Sequence, residues 1–138
     1  MFRWRRTVAP GYALGVATVG DVMTRDVLRV DPSTTVAEAA TMMGERRIGS
    51  ALVMEDERLV GIFTERDIVR ALGQHFDAAG HAVSEWMTRD PMTIGSDTST
   101  QQALDTMLQR GFRHLPIVDG DRVAGIVSLR ALSRATSG

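Results

Sequence analysis

At 138 residues with 43% hydrophobic side chains, the chain suits one compact domain or two small units sharing a core, and no apolar run approaches the ~20 residues of a membrane span. Sixteen basic against seventeen acidic side chains give a net charge of −1, so the whole molecule is not drawn to nucleic acid or anionic lipid. The absence of cysteine excludes disulfides, thiolate metal sites and a cysteine nucleophile, and it fits a cytoplasmic location.

The N-terminal stretch up to Thr18 differs in kind from the rest. Phe2-Arg3-Trp4-Arg5-Arg6 is basic and aromatic, and no acidic residue precedes Asp21. Arg5-Arg6 resembles the start of a twin-arginine leader, but the stretch that follows is short and broken by Pro10, Gly11 and Gly15. A basic patch for nucleic acid or lipid is a second reading, and a tail ordered in part against the domain surface is the plain one.

From Val19 onward the chain is a duplication. Met23-Thr24-Arg25-Asp26 returns as Met87-Thr88-Arg89-Asp90, and the same ungapped register also matches Ala39 with Ala103, Met43 with Met107, Gly61-Ile62 with Gly125-Ile126 and Arg70-Ala71 with Arg134-Ala135. In the first copy, Val27 to Val30 predicts a strand, and Thr35 with Glu38 three residues on predicts a capped helix start. Val36, Ala39, Ala40 and Met43 give that helix one apolar face. Ala51 to Met54 and Leu59 to Phe63 predict two strands joined by a polar turn, and a closing helix begins at Thr64 with Ile68 and Leu72 inside it. Gly73 to Ala82 reads as a polar, solvated linker; His75, Asp77 and His81 lie in it, with no fixed backbone to make them metal ligands.

The second copy repeats the order. Met92 to Ile94 predicts a strand, and Ser99 with Gln102 a helix cap. Leu115 to Val118 and Val123 to Val127 flank the turn Asp119-Gly120-Asp121, and a last helix starts at Ser128 and carries Leu132. The methionines Met42, Met43 and Met107 fall at core spacing. A unit of about 50 residues encloses little core alone. The expectation is a mixed α/β (α+β) fold of two β-α-β-β-α repeats packed sheet to sheet about a pseudo-twofold axis. Its divisions are a tail over 1–18, a first repeat over 19–72, a linker over 73–82 and a second repeat over 83–136.

Gly61-Ile62-Phe63-Thr64-Glu65-Arg66-Asp67 and Phe112-Arg113-His114-Leu115-Pro116-Ile117, in this order of elements, resemble a tandem cystathionine β-synthase (CBS) domain pair, or Bateman module, over roughly Val19 to Ala135. The resemblance implies a regulatory module that binds an adenosine-containing ligand such as AMP, ATP or NAD(H) in a cleft between the copies, with no cofactor required. It also implies a homodimer assembled through helices.

Two readings of Thr64 and Asp67 stand side by side. An aspartate one turn into a helix can accept hydrogen bonds from a ribose diol beside the threonine hydroxyl, or the pair can simply cap the helix. In the second copy Ser128 keeps the cap while Ala131 replaces the aspartate, so the carboxylate is not needed for the unit to fold. The family has one aspartate for each of two sites, and the resemblance therefore implies an intact site at Asp67 and a crippled one at Ala131. It further assigns Arg113 and His114 to phosphate, places Ile48, Ile62, Met92 and Phe112 against adenine with Thr88 near its edge, and adds Gly49 and Ser50 to the lining. The plain alternatives are exposed polar residues for Arg113 and His114, and core packing for the apolar set.

No catalytic set is legible: there is no Gly-x-Ser-x-Gly elbow, no Walker loop and no Gly-x-Gly-x-x-Gly after a strand. A ligand sensor is the leading expectation, with an effector protein of unidentified kind as a further partner. A purely structural dimerisation module and a nucleic-acid binder acting through the basic tail are the alternatives. For assembly, Ile68, Val69 and Leu72, with Leu129 and Leu132, offer more apolar surface than one contact uses, and the competing arrangement has Trp4 and Tyr12 folded over the same helices.

Overall fold

The computed structural model of the chain describes residues 17–136. The basic aromatic tail, with the leader, patch and helix-cover readings attached to Trp4, Arg5, Arg6 and Tyr12, lies outside the described residues. In chain order the elements are α1 (Val19–Val22), β1 (Arg29–Val30), α2 (Val36–Arg46), β2 (Ser50–Glu55), β3 (Arg58–Thr64), α3 (Glu65–Gln74), β4 (Thr88–Arg89), α4 (Thr100–Arg110), β5 (His114–Asp119), β6 (Arg122–Ser128) and α5 (Leu129–Thr136). Among the described residues no helix is long and apolar enough to cross a membrane. Two compact units emerge. Among the described residues, a central unit holds Asp26–Met92, and a terminal unit joins 17–25 to 93–136.

In the central unit the sheet order is β1-β2-β3-β4, with β1 parallel to β2 and the remaining pairs antiparallel. The Thr35 cap forms as its sequence predicts: Glu38 N–H donates to Thr35 Oγ1 at 3.1 Å, and Thr35 N–H donates to Glu38 Oε1 at 2.9 Å. The helix then lays Val36, Ala39 and Met43 onto Ala51, Val53 and Phe63, all buried. Asp56 and Glu57 both take positive φ, 49° and 66°, in the two-residue turn whose twist suits a hairpin. The predicted strand Val27–Val30 contracts to Arg29 and Val30, in register with Leu52 and Val53 of β2, while Leu28 contributes only its carbonyl, which accepts from Leu52 N–H at 2.9 Å.

The terminal unit has β5 and β6 as its two-stranded sheet, and single bridges from Ile94 to Ile117 and from Thr24 to Ile126 flank it. Its core is Val19, Ala103, Met107, Leu115, Ile117, Val127 and Leu132. The strand expected over Met92–Ile94 does not form. Pro91 has no N–H to offer, and past Ile94 the Ser96 N–H is taken by Asp119 Oδ1 at 2.9 Å, so pairing is confined to one residue. The Ser99 cap is half of the expected box: Gln102 N–H donates to Ser99 Oγ at 3.1 Å, while the Gln102 side-chain Oε1 accepts from the serine hydroxyl at 3.3 Å.

The internal repeat survives in the hydrogen bonds, but each opening segment is exchanged. Val83 N–H donates to Thr34 O at 2.8 Å and Val36 N–H to His81 O at 2.9 Å, inside the central unit. At the equivalent positions of the other copy, Val19 N–H donates to Thr98 O at 2.8 Å and Thr100 N–H to Ala17 O at 3.0 Å, inside the terminal unit. The segment that opens the second copy therefore completes the body of the first, and the reverse. This accounts for the repeated Met-Thr and Gly. Met87 and Thr88 lie on Gly61, where an added Cβ would stand 3.0 Å from Thr88 O, and Met23 and Thr24 lie on Gly125, where it would stand 2.6 Å from Thr24 O.

Composition misreads Gly73–Ala82. Ala78 is fully buried in the central core, and its neighbours form a 3-10 turn over Ala78–Gly80 that packs on α2 and α3. A segment polar on average can still hold one small side chain that fills a core. Among the described residues there is no group of three or more His, Asp and Glu suited to a metal ion. His81 lies instead between Asp77 Oδ2 at 3.6 Å and Glu85 Oε1 at 3.2 Å, the latter outside hydrogen-bond geometry.

Candidate functional site

β3 delivers Thr64 in extended conformation to the start of α3, which places Asp67 three residues on, facing back toward the cap. Asp67 Oδ2 accepts from Thr64 N–H at 2.9 Å and from the Thr64 hydroxyl at 3.2 Å. Asp67 Oδ1 accepts from Arg70 Nη2 at 3.2 Å, and that same nitrogen donates to Trp86 O at 2.8 Å. The aspartate is only 6% exposed. The capping role is thus realised, and it is built into a larger network. Two lone pairs on Oδ2 meet two donors, while Oδ1 meets one donor and keeps one lone pair. The Thr64 hydroxyl spends its proton on Asp67, so its oxygen remains an acceptor.

The sheet gathers other expected residues at the same end. Ser50 is the register partner of Thr64, and Glu65 N–H donates to Gly49 O at 3.1 Å. Ile62 sits between Leu52 and Thr88 in register, buried, with Thr88 exposed. Ile48 closes the exit of α2 with its N–H on Met43 O at 3.0 Å and packs in part on the central core, so its core reading has substance. Met92 stands three residues past β4 and is 36% exposed.

Phe112, Arg113 and His114 belong to the terminal unit and reproduce this frame. Leu129 N–H donates to Arg113 O at 2.8 Å, as Glu65 does to Gly49, and His114 is the register partner of Ser128. Ser128 Oγ accepts from Ala131 N–H at 3.1 Å, so α5 is capped without a carboxylate. Phe112 packs in part on the terminal core, and Arg113 is exposed. One frame therefore offers Asp67 beside a glycine, the other an arginine beside Ala131. Sequence reading missed Arg70 and Trp86. The recurrence of Arg70 as Arg134 marked the position, but nothing in the spacing named Trp86 as the second acceptor.

The CBS domain family model matches residues 19–74 and 83–138. The chain belongs to the CBS-domain family. It is similar to an uncharacterised 17.7 kDa protein of Acidianus ambivalens, with 44% identity over 119 residues, 85% of this chain and 71% of that protein. Among solved structures it is similar to CBSX2 in complex with AMP, at 29% identity and TM-score 0.75 over 86% of this chain and 95% of that one. It is likewise similar to the CBS domain pair of MJ0100 in complex with 5′-methylthioadenosine and S-adenosyl-L-methionine, at 27% identity and TM-score 0.80 over 87% and 95%.

Proposed function

We propose that this CBS pair is a regulatory, non-catalytic module that binds an adenosine-containing ligand through the Asp67 frame. The observation that carries the reading is the buried Asp67 carboxylate with one lone pair left on Oδ1, beside a Thr64 oxygen that still accepts. Those are two acceptors for the two hydroxyls of a ribose. The adenosine ligands of CBSX2 and of MJ0100 support the same ligand class. Ile48, Gly49, Ser50, Ile62 and Thr88 supply the lining on this unit, and Met92 adds apolar surface for the base. In the terminal unit Arg113, with His114 next to it, is a fork suited to phosphate in its own right. Because Ala131 leaves the other frame without a carboxylate, one ligand per chain binds tightly.

A thermal-shift series with adenosine, AMP, ATP, NADH and S-adenosylmethionine tests this, since a ligand that binds the folded state alone raises its melting temperature. At least one of them raises it in a saturable way; no shift with any of them contradicts the reading. Homodimer formation is the second part of the proposal. Val69 is 72% exposed, Leu72 48% and Phe76 97%, and their spacing lines one side of α3 and its exit.

A further inference from the structure

Arg70 holds two acceptors with one nitrogen, Asp67 Oδ1 at 3.2 Å and Trp86 O at 2.8 Å, and its guanidinium carbon lies 5.7 Å from the centre of the Trp86 ring. Its side chain is 48% exposed, whereas that of Asp67 is 8% exposed, so the arginine reaches in from solvent to a carboxylate that is otherwise enclosed. An aspartate carboxyl turns freely about its last torsion unless both oxygens are held. Here Thr64 holds one oxygen and Arg70 the other. We infer that Arg70 is the positioning residue of the ligand site, fixing Asp67 so that the free lone pair on Oδ1 points to an incoming ribose hydroxyl and anchoring that arrangement to the backbone of Trp86. The inference rests on the ribose reading above and adds to it a residue that never touches the ligand.

The fixed carboxylate serves the ribose, so the effect of Arg70 is the same whether or not the ligand carries phosphate. The test is titration calorimetry of adenosine and AMP against wild type, Arg70→Ala, Arg70→Lys, Asp67→Asn and the double variant Asp67→Asn/Arg70→Ala, with melting temperatures taken on each protein. Arg70→Ala weakens adenosine and AMP by a similar factor of about ten, the size of one lost charge-assisted hydrogen bond. Arg70→Lys restores part of the loss. In the Asp67→Asn background the second substitution adds less than about twofold, because Arg70 acts through the carboxylate. Unchanged affinity in Arg70→Ala, an undiminished loss in the Asp67→Asn background, or a loss confined to AMP overturns the inference while the ligand reading stands. A wild-type chain that binds neither compound overturns the inference, and one that also binds none of ATP, NADH and S-adenosylmethionine overturns the ligand reading with it. Should Arg70→Ala fail to fold, Arg70→Gln carries the same expectations.

Discussion

Asp67 and Ala131 occupy equivalent places in the two copies, and the structure shows what the difference does. In the terminal unit Ser128 Oγ alone takes the Ala131 N–H, whereas in the central unit the Asp67 carboxylate turns back on the Thr64 N–H and hydroxyl. Asp67→Ala therefore removes a cap as well as a ligand contact. It lowers unfolding free energy by about 1–2 kcal/mol, read by urea denaturation, which goes beyond the expectation drawn from Ala131 alone. Two other carboxylates report on acid stability. Ser96 N–H and hydroxyl hold Asp119 below the ordinary aspartate range, and the Thr35 N–H and hydroxyl hold Glu38 below the ordinary glutamate range. A depressed folded-state pKa means stability that is present above the unfolded-state value and lost as pH falls through the folded-state value. Melting temperature thus declines on the acid side of the ordinary carboxylate range. Ser96→Ala is less stable than wild type near neutrality, and the gap narrows as Asp119 protonates in wild type; a gap constant with pH contradicts the assignment.

Glycines separate two kinds of constraint at the level of elements. Gly61 and Gly125 lie under Thr88 and Met87 and under Thr24 and Met23, whereas Gly44 in α2 and Gly73 in α3 have open space where a Cβ would go. Gly61→Ala and Gly125→Ala each destabilise by about 1–3 kcal/mol through overpacking. Gly44→Ala and Gly73→Ala stabilise by up to about 1 kcal/mol by favouring the helix. Thermal unfolding of the four variants checks the contrast in sign. The same α3 carries Val69 and Leu72, and Phe76 follows it, all exposed. Leu132, expected to share this apolar surplus, is instead fully buried in its own unit, because α5 packs on α1 and α4. Light scattering of wild type and of Val69→Glu/Leu72→Glu at micromolar concentration tests the surface that remains. A wild-type dimer dissociated by the charges is the expected result, and a wild-type monomer contradicts it.

What the sequence disclosed follows from the range of the forces involved. The caps at Thr35 and Ser99, the two hairpins and the apolar faces of α2 and α4 are set by residues within a few positions of each other, and the ungapped identity between the copies made the duplication plain. The exchange of opening segments was hidden, because an identity such as Met23 with Met87 says that two residues do the same work and not which copy each serves. In the site, Thr64 and Asp67 were legible from their spacing, while Trp86 entered through its carbonyl, which no side-chain pattern encodes. At the scale of the whole molecule, two near-identical frames carry different chemistry, Asp67 in one and Arg113 beside Ala131 in the other, and the proposal of a module with one strong adenosine site follows from that asymmetry. Calorimetric titration of wild type and Asp67→Ala with AMP, ATP, NADH and S-adenosylmethionine tests it most directly. The expected result is saturable binding of at least one of them at one tight site per chain, weakened tenfold or more (about 1.4 kcal/mol) by Asp67→Ala; two equivalent tight sites per chain, undiminished affinity in Asp67→Ala, or no saturable binding of any of the four would contradict it.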